Sequence, residues 1–187
     1  MSLNLPLPLK RNLYFSEGVD NDSIRKLTES IVEINEDDDH LRRLFSVYNL
    51  KYEPEPIKIH IDCFGGSVYQ ILGLVSIMEN SKTPINTIST GVAMSAGLIL
   101  LISGHKRFGH KYSTQLYHQL SAGTWGRLED IKDDVIEYKR LQKLLEGIII
   151  SKTKLTKKKL KEVNSLKKDW YLTPEESLEY GIIDEII

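Results

Sequence analysis

The sequence predicts an α/β fold in which helices pack on largely parallel strands. Two observations carry this expectation. Strand-like alternation and helix-like spacing take turns along the 187 residues, and breakers such as Gly65-Gly66, Pro84 and Gly181 stand where one pattern gives way to the next. The length suits a single domain, residues 1–187, able to bury a sizeable core.

Taken in order, Leu13 to Phe15 reads as a short strand. Asp20, Asn21 and Asp22 then offer helix caps ahead of Ile24, Leu27, Ile31 and Ile34 at helical spacing. A polar stretch from Asn35 to Pro56 leads to Ile57, Ile59 and Ile61, which alternate with Lys58 and His60 as in a strand. After Gly65-Gly66, helical spacing returns at Val68, Ile71, Leu72, Val75 and Met78, and Pro84 precedes a β-prone run, Ile85 to Thr90. From Gly91 the chain reads GVAMSAGLILLISG, small residues passing into an apolar segment that predicts a buried helix beginning near Ser95. Thr114 to His118 predicts another strand, and Arg127 to Lys152 a long helix with Leu128, Ile131, Val135, Tyr138, Leu145 and Ile148 on one side. A helix this long projects from a small domain or packs against another subunit. Thr173, Pro174 and Glu176 supply a cap, a first-turn proline and a capping-box acid before a stop at Gly181 and a last strand, Ile182 to Ile187.

Apolar residues make up 41% and charged residues 27%, with 25 basic against 26 acidic side chains, so no whole-chain charge bias points to nucleic acid. The charges are unevenly placed. Acids cluster at Glu33 and Glu36 to Asp39, and eight lysines fall between Lys152 and Lys168. Both runs read as solvated surface, and the lysine stretch has no aromatic residue to stack on bases. The single cysteine, Cys63, forms no internal disulfide and suits a reducing, cytoplasmic setting. The start, MSLNLPLPLK, has two prolines and no sustained apolar run, so neither a secretory signal nor a membrane span is expected.

A serine hydroxyl becomes a nucleophile only when a base removes its proton, and the anion it creates needs aimed N–H donors. Ser95 lies where a strand gives way to a helix among small neighbours that would let its hydroxyl emerge, although a buried N-terminal serine would look the same from this segment. His118 ends a strand in QLYHQLSAG; a lone histidine there is more often structural, and His40, His60, His105 and His110 compete with it. His105 and His110 lack a metal-ligand pattern, so no metal or other cofactor is expected. Asp169, between the lysine run and Trp170-Tyr171-Leu172, taken alone is an ordinary loop aspartate. Gly65-Gly66 lets main chain approach a ligand closely, as in a phosphate cradle or an oxyanion hole, and no Gly-Lys-Ser/Thr pattern follows to favour phosphate. Cys63 is a weaker nucleophile candidate, since a free cysteine at a strand end is usually just buried.

In order, IKIHIDCFGGSV, GVAMSAGLILLISG, YHQLSAGTWGRLEDI and DWYLTPEESLEYGIIDEI resemble four segments of the proteolytic subunit of the Clp protease, a compartmentalised serine peptidase. Four ordered matches are far more specific than one motif. The resemblance runs from about Asn12 to Ile187 and implies a crotonase-like fold with a projecting handle region, 119–152. It implies Ser95 as nucleophile, His118 as general base and Asp169 as the residue orienting the histidine. It also implies an oxyanion hole from the backbone N–H groups of Gly66 and Ala96. Main chain at Gly66, Ser67 and Val68 and at Gln119, Leu120, Ser121, Ala122 and Gly123 would pair with an extended polypeptide substrate. Homo-oligomeric, seven-membered rings that enclose the sites, and a hexameric AAA+ ATPase that unfolds substrates, are further implications.

Several positions depart from the family's habit. Phe64 and Leu120 stand where proline is common, and Lys167-Lys168 precede Asp169 where an acid and an arginine commonly contact a stacked ring. Like charges there predict weaker, salt-sensitive ring stacking. The stub at 1–11 is too short for the family's axial loop and first helix, which predicts weak coupling to an ATPase. Three other readings stay in view. A crotonase-like enzyme acting on acyl-CoA would use the same backbone donors without needing the serine, histidine and aspartate. A catalytically silent ring subunit would need none of them, and a Ser–Lys peptidase would not need the histidine and aspartate segments.

Overall fold

The computed structural model describes residues 10–166 and 169–187. The expectations placed on most of the stub and on Lys167-Lys168 lie outside the described residues. The chain opens with β1 (Asn12–Phe15) and α1 (Asn21–Val47). Asp20 caps α1 by accepting the Ser23 N–H at 2.8 Å, while Ser23 Oγ accepts the Asp20 N–H at 3.0 Å. Next come β2 (Ile57–Cys63), α2 (Val68–Glu79), β3 (Ile85–Met94) and α3 (Ala96–Ile102). β4 (Lys106–Gly109) and β5 (Thr114–Tyr117) precede the long α4 (Leu128–Lys152) and α5 (Lys157–Leu166). The chain closes with β6 (Trp170–Leu172), α6 (Pro174–Glu179) and β7 (Glu185–Ile186).

The strands form one sheet in the order β1-β2-β3-β4-β7, with β5 on β3 and β6 on β5. Every pairing is parallel except β5 with β6. The α/β expectation holds, and the antiparallel edge is an addition. β3 changes partner along its length, pairing β4 from Asn86 to Ser89 and β5 from Val92 to Met94. That switch carries β5 past β4, so β2, β3 and β5 end at the same edge of the sheet. One face of β2 buries Ile57, Ile59, Ile61 and Cys63, and the other carries Lys58, His60 and Asp62, none of them buried. All residues of α3 are buried, as an apolar helix with no polar face requires.

Four expectations change. The polar stretch after Ile34 is helical as far as Val47, because Asp38 takes the next inward position four residues on. Asp38 is 0% exposed, so the acidic run is not wholly solvated surface. Its carboxylate accepts from both terminal nitrogens of Arg11, from Thr83 Oγ1 at 2.5 Å and from Tyr52 OH at 2.7 Å. The lysine run is likewise partly structured, since Leu160 and Val163 anchor one side of α5 in the core. β4 and β6 are additional short strands. At the end of the chain Ile182 and Ile183 are buried before the last strand, which is confined to Glu185–Ile186. Arg107 on β4 bonds the Lys152 and Gly181 carbonyls at 2.5 and 2.8 Å and pairs with Asp184, pinning the end of α4 to this edge.

Candidate active site

Open parallel sheets bind ligands beyond the carboxyl ends of their strands, near a switch in strand order. Here those ends carry Gly65-Gly66 after β2, Ser95 after β3 and His118 after β5. Ser95 occupies a sharp turn between β3 and α3 with φ 55° and ψ −119°, a conformation that side-chain-bearing residues seldom adopt. The turn is tied down from β5, because the Ser95 N–H donates to the Leu116 carbonyl at 3.0 Å, two residues before His118. From the other side the Gly65 turn closes on it. A Cβ built at Gly65 (φ 110°) would stand 2.7 Å from Ser95 Cβ, so only glycine fits there.

Gly66 is held by a bridge to Val19, with the Ser67 N–H donating to the Val19 carbonyl at 2.7 Å and the Val19 N–H to the Gly65 carbonyl at 2.8 Å. Those bonds leave the Gly66 N–H out of the bridge. Ala96 is the first residue of α3, and N–H groups in a first turn have no partner within the helix. Gly66, Ser95, Ala96 and His118 all line one cleft. Its remaining walls are mostly apolar, with Leu98 and Ile99 from α3 and Leu145 and Ile149 from α4.

His118 also lines a second, more polar and more open cleft, together with Asp169, Asn164 and the segment from Gln119 to Ala122. The antiparallel register pairs Tyr117 with Trp170, and continuing it by one residue sets His118 opposite Asp169. His118 is half-buried and Asp169 exposed. Among the described residues no hydrogen bond joins Ser95 to His118 or His118 to Asp169. Of the expected substrate-pairing residues, Ser67 and Val68 are half-buried beside Gly66, while Ser121, Ala122 and Gly123 are exposed. The Leu120 N–H is already engaged, donating to Gln142 Oε1 at 2.7 Å.

The competing groups have other occupations. Burial pushes the Cys63 thiol above its ordinary range, and its sulfur accepts the Gly65 N–H at 3.3 Å, which suits a packed residue rather than a thiolate. His105 Nδ1 accepts the Ile85 N–H at 3.1 Å, and His60 stacks on Tyr14. Among the described residues no three His, Cys, Asp or Glu side chains group as metal ligands would. No described helix is long and apolar enough to cross a membrane. Gln142 and Tyr117 also line the cleft, and sequence reasoning passed over both. A glutamine on an amphipathic helix reads as its solvent side, and only the packing of α4 over α3 turns it inward.

A family model described as Clp protease matches residues 19–187. The chain is 36% identical over 135 residues to the ATP-dependent Clp protease proteolytic subunit of Deinococcus radiodurans, covering 71% of this chain and 65% of that protein's length. It is 29% identical over 185 residues to proteolytic subunit 1 of Prochlorococcus marinus, covering 95% of this chain and 84% of the relative. With proteolytic subunit 2 of Treponema pallidum the identity is 31% over 149 residues, or 79% and 73% of the two chains.

Proposed function

The chain belongs to the Clp protease family, and from that premise we propose that it is a serine endopeptidase acting on unfolded or short polypeptides through Ser95, His118 and Asp169. The observation that carries the reading is the strained turn at Ser95, which opens into one cleft with His118 and with the backbone of Gly66 and Ala96. In the proposed reaction Ser95 Oγ attacks the peptide carbonyl carbon while His118 accepts its proton. The N–H groups of Gly66 and Ala96 stabilise the oxyanion. The C–N bond then breaks as His118 returns the proton to the departing amine, and water, activated by the same histidine, releases the acyl group. Asp169 holds the imidazole and stabilises its charged form. Catalytic hydrogen bonds are commonly long without substrate and tighten in the complex, which fits the unjoined triad. Main chain at Gly66 to Val68 and at Gln119 to Gly123 pairs with the substrate, with Leu120 contributing through a group other than its engaged N–H.

In the same reading copies of the chain form a ring whose chamber encloses the sites, in the cytoplasm, with an AAA+ unfoldase as a candidate partner. The free thiol of Cys63 suits that compartment. The test is a fluorophosphonate probe with the purified chain. Wild type should be labelled and Ser95→Ala should not, and Asp169→Asn should lose roughly a thousandfold or more in peptide hydrolysis because the wrong imidazole tautomer is favoured. Failure of wild type to label under conditions where it assembles would favour a silent ring subunit. Turnover of an acyl-CoA thioester by Ser95→Ala would favour the acyl-CoA reading.

A further inference from the structure

A closed ring of hydrogen bonds grips the chain on both sides of His118. On α4, Gln142 Oε1 accepts the Leu120 N–H at 2.7 Å, and Gln142 Nε2 donates to Tyr117 OH at 3.3 Å and to Glu146 Oε1 at 2.8 Å. Tyr117 OH donates to Asn164 Oδ1 at 3.0 Å, and Asn164 Nδ2 donates to the same Glu146 oxygen at 2.8 Å. An ionised carboxylate is acceptor-only, so Glu146 must face the NH₂ groups of both amides. That fixes the direction of every bond in the ring. With its nitrogen held by Glu146, Gln142 can turn only its oxygen toward residue 120, where it needs an N–H. Burial pushes the Tyr117 phenol above its ordinary range, which keeps it a neutral O–H donor.

We propose that Gln142 is a positioning residue for His118, holding Tyr117 and Leu120, the residues that bracket it, with Glu146 and Asn164 setting its orientation. This rests on the peptidase reading of Ser95 and His118. The three elements involved, β5, α4 and α5, share no covalent constraint near the site, yet they meet where the histidine leaves its strand. Half-buried polar groups of this kind are costly to leave unpaired, so the ring holds one arrangement. Because a displacement of about 1 Å in a reacting group can cost on the order of a hundredfold in rate, slack at Leu120 should appear in catalysis.

Gln142→Met keeps length and loses both polar ends; Glu146→Gln keeps shape and lets the amides reverse. The full-length chain is compared in two assays. Amide hydrogen exchange across 119–123, measured with Ser95→Ala as the parent so that turnover plays no part, should quicken in Gln142→Met and less so in Glu146→Gln. Peptide hydrolysis by the single variants should show kcat down roughly tenfold to a hundredfold, with any rise in KM from the loosened 119–123 segment smaller than the fall in kcat, the pattern of a lost transition-state alignment. Unchanged exchange in Gln142→Met would overturn the proposal. So would faster exchange with kcat intact, which would leave Gln142 a purely structural residue. A wild type inert toward the fluorophosphonate probe would sink the peptidase reading and with it any catalytic role for Gln142. Even then the exchange comparison would decide whether Gln142 holds Leu120.

Discussion

Ser95 sits at φ 55° with its side chain intact, and residues held in such sparsely populated regions carry strain of about 1–3 kcal/mol. Glycine adopts this region readily but loses about 0.5–1 kcal/mol through its greater freedom in the unfolded chain. Ser95→Gly should therefore be more stable than wild type by about 1 kcal/mol, a difference readable from urea midpoints, whereas Ser95→Ala should be near neutral. A Ser95→Gly protein less stable than Ser95→Ala would mean that the turn is relaxed. The neighbouring glycine predicts the converse. With φ 110° and a Cβ that would press on Ser95, Gly65→Ala should lose both stability and probe labelling.

Among the elements, α1 shows how a buried charge extends a helix past its apolar stripe. Asp38 lies inside, where burial alone would raise its pKa. Hydrogen bonds from Arg11, Thr83 and Tyr52 outweigh this and hold the carboxyl below its ordinary range. In return, burial and the Asp38 carboxylate push the Tyr52 phenol up to about 12. A carboxylate with a depressed folded pKa contributes stability above its unfolded pKa of about 3.9, and that contribution is lost as pH falls through the folded value. Asp38→Asn should cost about 3–5 kcal/mol at neutral pH, since it leaves Arg11 without its hydrogen-bonded carboxylate. The gap between wild type and variant, measured by urea unfolding, should be level from about pH 7 to pH 5 and shrink below about pH 4. A gap that ignores pH would show that the amide replaces the carboxylate fully.

For the whole molecule, the outward side of α4 is left uncovered by the other described residues. Leu128 is 68% and Ile136 66% exposed, and Val135 and Leu144 are exposed beside them. Apolar groups gathered along one projecting helix are what a neighbouring copy would bury. Ile136→Glu should lower the assembled mass in analytical ultracentrifugation while the far-ultraviolet circular dichroism stays that of the wild type. A mass indifferent to this change would show that this face of α4 makes no contact between copies.

Local patterns determined much of this protein. Alternation at Ile57, Ile59 and Ile61, the apolar run after Ser95 and the capping box at Thr173 are signals between near neighbours, and each element appears where its signal stands. Ser95 and the Gly65-Gly66 turn were legible for the same reason, since they sit at changes of pattern. What only the tertiary structure decided depends on partners far along the chain. Asp38 reads as a surface acid until Arg11 and Thr83 close around it, and the strand at Trp170 is three residues with no period of its own until it pairs with β5. Gln142 is a surface-type residue until α4 folds over α3 and meets Leu120. A short or polar segment has no local preference strong enough to reveal its place, and long-range burial and pairing supply the missing free energy.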